Sequence, residues 1–177
     1  MKRKCLVFTL LLLFPSKIHA VSNWTIESGI NYINIGDEYG EVWVSNSAEL
    51  NVIDGNIGRI NCNNTSTTNI YGWSNSDPIP SSNSLHIVAN DYSVVNIFQG
   101  NTNGQLSAYS DSTVNIYGSD FNFGNSYLTG TWVDGTDFSF YMRGYFQLPN
   151  QIILHEVPEP ATLALFSIGA LLIRRKK

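Results

Sequence analysis

The chain has 177 residues, of which 43% are hydrophobic and 14% charged, and its formal net charge is −4. Eight of the ten Lys and Arg residues lie in the first 17 or the last four positions; within residues 21–157 only Arg59 and Arg143 face thirteen Asp and Glu, a net charge of about −11. So acidic a body excludes nucleic-acid binding, which neutralises phosphates with Lys and Arg; with Cys62 the one cysteine outside the N-terminal segment, it also excludes an intramolecular disulfide and a Cys-based zinc site.

Lys2, Arg3 and Lys4 precede an apolar run over residues 6–14, and a small residue, Ala20, follows as the cleavage position. That is the three-part layout of a secretory signal peptide. The run is shorter than the roughly 20 apolar residues of a stable span, so residues 1–20 read as a signal helix that is removed. Cys5 stands before the run, whereas a lipid-bearing cysteine would follow it.

Residues 21–156 form one body, rich in Asn, Ser, Thr, Gly and Tyr, in which short strands between turns are expected. Residues 42–55, VWVSNSAELNVIDG, align without gaps with residues 87–100, IVANDYSVVNIFQG, and residues 58–72 align in the same way with residues 104–118. Within each copy an element of Asn, aliphatic, variable and Gly recurs. Its asparagines are Asn34, Asn51, Asn69, Asn96 and Asn115, spaced 17, 18, 27 and 19. Equal short rungs are what a stacked repeat needs, because no single rung can bury its apolar face alone. The fold class is therefore all-β: a short parallel β-helix, or β-solenoid, of about five coils of about 18 residues.

Alternation at period two assigns the faces. Leu50, Val52, Ile70, Val95, Ile97, Val114 and Ile116 are expected inside, joined by Ile60, Leu106, Ala108 and Cys62, while Asn115 and Tyr117 point outward. The repeated asparagines are placed to stack as an amide ladder. Gly55, Gly72, Gly100 and Gly118 are expected to supply positive φ at the turns. Residues 73–84, which contain Asp77-Pro78 and Pro80, interrupt the period and read as a loop.

After Gly118 the period fades. Residues 127–133, 138–141 and 151–155 read as strands of a C-terminal β cap, with Asp134-Gly135-Thr136 as a hairpin turn.

Residues 157–177 form a tail. Val157-Pro158-Glu159-Pro160 leads into an apolar stretch over residues 161–173, closed by Arg174, Arg175, Lys176 and Lys177. The prolines mark where extended chain ends and a C-terminal transmembrane helix starts. The basic cluster resists translocation and acts as a stop-transfer signal. This order closely resembles the PEP-CTERM sorting signal of Gram-negative bacteria. That resemblance implies recognition of Pro158, Glu159 and Pro160 by an exosortase-like processing enzyme, transient residence in the inner membrane through the helix, and an association with exopolysaccharide. Residues 42–136, with STVNIYG and LTGTWVDGTDF, resemble more loosely the repeat regions found ahead of such tails.

The candidate chemistry is thin. Asp54, Asp91, Asp111 and Asp120 could supply the two carboxylates of a glycoside hydrolase, but turn formation is the usual task of such residues. The body has no Lys, and Arg59 and Arg143 read as surface charges. His86 and His155 have no metal-ligand partner at useful spacing. No calcium-loop motif is present. Cys62 aligns with Ala108 and reads as a small buried filler. Tyr71, Phe98, Tyr109 and Tyr117 could form an aromatic strip for sugar rings or could simply pack across rungs. The sequence thus assigns no catalytic residue, metal or cofactor; it points to an exported, non-enzymatic cell-surface or matrix protein, with a carbohydrate-binding or carbohydrate-active β-helix protein as the alternative.

Overall fold

The computed structural model describes residues 22–73, 85–100, 103–142, 144–145 and 147–158. The expected signal helix with Ala20, residues 74–84 of the interrupting loop, Arg143, and the tail from Glu159 through Pro160 and the apolar helix to Arg174, Arg175, Lys176 and Lys177 lie outside the described residues.

The described chain is all-β, with thirteen strands and no helix. In order they are β1 (Ser22–Ile26), β2 (Ile30–Ile33), β3 (Glu38–Val44), β4 (Glu49–Val52), β5 (Asn56–Cys62), β6 (Thr67–Ile70), β7 (Leu85–Ala89), β8 (Val94–Ile97), β9 (Asn103–Ala108), β10 (Thr113–Gly124), β11 (Tyr127–Thr131), β12 (Asp137–Tyr141) and β13 (Ile152–Glu156). Each odd strand from β1 to β7 pairs in parallel with the next odd strand, and each even strand from β2 to β8 with the next even one. Two parallel ladders result, between which the chain steps back and forth. Twelve strands lie on one nearly closed, barrel-like path, and β13 adds to β10 off that path.

Register follows the repeat. Val42, Ile60, Ile87 and Leu106 form one buried row of the first ladder, and Leu50, Thr68, Val95 and Val114 one of the second. Side chains from both ladders fill a single core. Burying apolar surface here stabilises by roughly 25 cal/mol per Å² removed from water.

The corners differ from expectation. Gly55 has the expected positive φ, at 157°, but Gly72, Gly100 and Gly118 have none. Left-handed backbone is instead supplied by Asn46, Asn64, Asp91 and Ser110, each at φ of 55° or 56°. Asn and Asp tolerate this conformation because their short polar side chains bond locally. Each such residue sits in a turn closed by an i+3 hydrogen bond, from the N–H of Ala48, Ser66, Ser93 or Ser112, at 3.1–3.2 Å. The glycines answer a different need, close approach: a Cβ on Gly100 would lie 1.7 Å from the Trp73 ring, and one on Gly118 would lie 2.5 Å from the Thr131 carbonyl oxygen.

Trp73 is a second correction. It opens the interrupted stretch, yet its side chain is buried against Trp132 and Phe140. A third is the cap. β10 does not stop at Gly118 but runs to Gly124, crosses from the second ladder to the first, and turns at Asn125 and Ser126, both with positive φ. β11 and β12 then close the first ladder beyond β9, with the expected turn around Gly135 at φ 86°. β13 is not part of this closure; it adds in parallel to β10 as one more rung.

Candidate functional site

The outer face of the second ladder carries the most ordered polar array. Asn51, Asn69, Asn96 and Asn115 stand in register, and each donates from Nδ2 to the Oδ1 of the preceding rung at 2.8–3.0 Å, beginning with Asn69 to Asn51. Glu49 terminates the column at one end by accepting from Asn51 Nδ2 at 2.9 Å. At the other end His155 Nε2 lies 2.9 Å from Asn115 Oδ1. Because that oxygen only accepts, the ring nitrogen must be the donor. Asn34 does not join, since Tyr32 rather than Asn34 is in register with Asn51. Asn34 instead closes its own turn, its N–H donating to Asp37 Oδ2 at 2.8 Å.

Beside this column runs an aromatic stack of Tyr71, Phe98, Tyr117 and His155. Its centroid spacings are 5.0, 4.5 and 4.5 Å and its interplanar angles 4°, 14° and 11°. Tyr109 lies elsewhere, on a corner of the first ladder. Phe98 and Tyr117 are stacked on both faces and turn only their edges outward, whereas Tyr71, at the end of the stack, is stacked on one face and is exposed. A sugar ring packs on an aromatic face, so the inner rings work as cross-rung packing.

The four expected carboxylates, Asp54, Asp91, Asp111 and Asp120, do not converge on one another. Asp91 holds a corner, its Oδ2 accepting from Asn64 N–H at 3.0 Å, and Asp111 sits one rung later at the same corner. Asp54 bonds the N–H of Gly55 at the opposite corner. Asp120 occupies the irregularity in β10 at φ 53°. It shares an open groove of about 450 Å³ with Asp137, Thr129, Thr131, Ser139 and Asn103, a grouping the sequence did not suggest. There Asp137 accepts from Thr131 Oγ1 at 3.1 Å.

Arg59 lies on the outside of the first ladder, 3.6 Å from Glu41 and within hydrogen-bonding distance of His86 Nδ1. Cys62 is fully buried, and burial pushes its thiol up to about 12, partly opposed by a 3.2 Å contact with Thr68 Oγ1. It is therefore an inert thiol at neutral pH. Among the described residues no three His, Cys, Asp or Glu side chains are grouped to hold a metal ion, and no helix is long and apolar enough to cross a membrane.

The tail is joined to this scaffold without a linker. β13 pairs along β10 from Ile152 to Glu156, and Val157 adds a final hydrogen bond to the Gly118 carbonyl at 2.8 Å. Pro158 follows and is exposed. Residues 156–177 match the PEP-CTERM protein-sorting motif. A PEP-CTERM tail marks an exported protein that is processed by an exosortase and anchored in the membrane only transiently. The match begins inside β13, so the motif overlaps the last rung of the body by its first residue, Glu156. Neither a curated protein nor a solved structure matches the chain.

Proposed function

We propose that this chain is an exported, non-enzymatic cell-surface or extracellular-matrix component of a Gram-negative bacterium, a short β-solenoid associated with exopolysaccharide. Pro158, Glu159 and Pro160 are the residues handed to the exosortase, and Arg174, Arg175, Lys176 and Lys177 hold the tail at the inner membrane until then. The observation that carries this reading is the PEP-CTERM match directly abutting a folded body, with Val157 as the last residue bonded to it.

The solenoid reading is supported by parallel pairing of each strand with the second one along and by one core shared between the two ladders. The non-enzymatic role is supported by the use of Asp54 and Asp91 in turns and of Arg59 in a pair with Glu41. The partly exposed amides of Asn69, Asn96 and Asn115 and an acidic surface offer hydration and hydrogen bonding to a glycan. The groove at Asp120 and Asp137 favours a second reading, a carbohydrate-binding module.

The test replaces Glu159 and Pro160 by Ala in the full chain and follows its distribution between membrane and medium. Accumulation in the membrane fraction is expected, and unchanged release would contradict the sorting role. Incubating the released protein with acidic polysaccharides separates the readings of the body, since product formation would overturn the non-enzymatic one.

A further inference from the structure

Both ends of the second ladder finish in an edge strand that has one partner among the described residues: β2 pairs with β4, and β13 pairs with β10. The first ladder ends differently, because β12 and β11 close it beyond β9. Proteins keep open edges from pairing with charge, Pro or a bulge. β2 has none of these; it reads Ile30, Asn31, Tyr32, Ile33, and Ile30 and Tyr32 are 62% and 55% exposed.

The outward row through the amide column explains what could cover this edge. In register it runs Tyr32, Asn51, Asn69, Asn96, Asn115, Ile153. The four amides inside the row bond to one another, and the two apolar members stand at its ends. Ile153 is 43% exposed. All strands of the ladder, β13 included, run in the same direction. A second copy displaced along the ladder would therefore meet β13 with its β2 already parallel, about 4.8 Å away, and would seat Tyr32 over Ile153. Pairing two β2 edges or two β13 edges across a two-fold axis would be antiparallel and would lose this register.

We propose that copies of this chain associate head to tail, β2 of one adding in parallel to β13 of the next and continuing the second ladder. Such an interface joins unlike surfaces and propagates rather than closes. Because the body is strongly acidic, neighbouring copies repel, and salt screens that repulsion. Association therefore strengthens as ionic strength rises. This inference goes beyond the sorting role and does not rest on it.

Full-length chains carrying Cys5→Ser with Tyr32→Cys, and Cys5→Ser with Ile153→Cys, are co-produced and treated with a short bis-maleimide, on cells and in the medium. Buried Cys62 does not compete. Peptide mapping is expected to give the 32–153 link in clear excess over 32–32 and 153–153, while Tyr92→Cys, at an exposed corner, links to neither. Predominance of like-with-like links, or no link at all, overturns the proposal. Sedimentation velocity of the unsubstituted protein gives an independent reading. A sedimentation coefficient that rises with concentration and with salt is expected, and a monomer value under all conditions overturns the proposal.

Discussion

His155 Nε2 donates to Asn115 Oδ1 at 2.9 Å, so a histidine from the last rung closes an amide column that Glu49 opens four rungs earlier. Every amide in between gives its proton in the same direction, so each bond polarises the next. The column is thus a mechanical link between the body and the rung that precedes the sorting motif.

Asn96 is the position where this link is most sensitive, because it both accepts from Asn115 and donates to Asn69. Asn96→Asp removes the donor and sets a carboxylate against Asn69 Oδ1. Urea unfolding should show a loss of about 1–3 kcal/mol. Asn34→Ala, outside the column, should cost well under half of that loss.

Phe98 lies between Tyr71 and Tyr117, with its ring stacked on both. Phe98→Ala removes two stacks worth about 0.5–1.5 kcal/mol each, besides the area they bury. Thermal unfolding should move by several degrees. Retention on a polysaccharide column should not change, since the lost faces were never presented to solvent.

Gly100 illustrates a glycine held by space rather than by φ. Gly100→Ala drives a methyl into the Trp73 ring, and rearranging that packing costs about 1–3 kcal/mol. The Trp73 fluorescence spectrum should shift with the loss. A variant as stable as the parent would show that Trp73 is not seated as described.

Stability should fall as pH rises above 9. The Cys62 thiol ordinarily titrates near 9.0, and in the folded chain burial raises it to about 12. Between these values the unfolded chain has released a proton that the folded chain keeps, so raising the pH favours unfolding, by up to about 1.4 kcal/mol per pH unit. The contribution is complete below 9 and is lost through about 12. Tyr145, also pushed up by burial, acts in the same direction. Cys62→Ala isolates the thiol, and denaturation curves across this range should flatten in that variant. Ala fits because Ala89 and Ala108 occupy the same row.

Much of the ladder was legible because period two and the 45-residue repeat constrain the same residues independently. Val114 and Ile116 are fully buried and Asn115 faces out, as alternation requires. The corners were not read, although Asn46, Asn64, Asp91 and Ser110 recur at the same intervals as the amide column. Glycine, the usual occupant of positive φ, drew attention to positions where the true constraint is a neighbour's approach. Trp73 was hidden by the prolines beside it. His155 lies outside the repeated motif, so nothing local revealed that it continues both the amide column and the ring stack. Closure through β11 and β12 depends on left-handed Asn125 and Ser126, a turn that their residue types permit but do not dictate.

The central claim is that the chain leaves the cytoplasm and is separated from its tail at the edge of the last rung. Intact-mass and terminal-peptide spectrometry of the protein in the medium tests it most directly. The account predicts a chain that begins just after Ala20 and ends within the stretch from Val157 to Pro160. Extracellular protein that still carries Arg174, Arg175, Lys176 and Lys177 would contradict it.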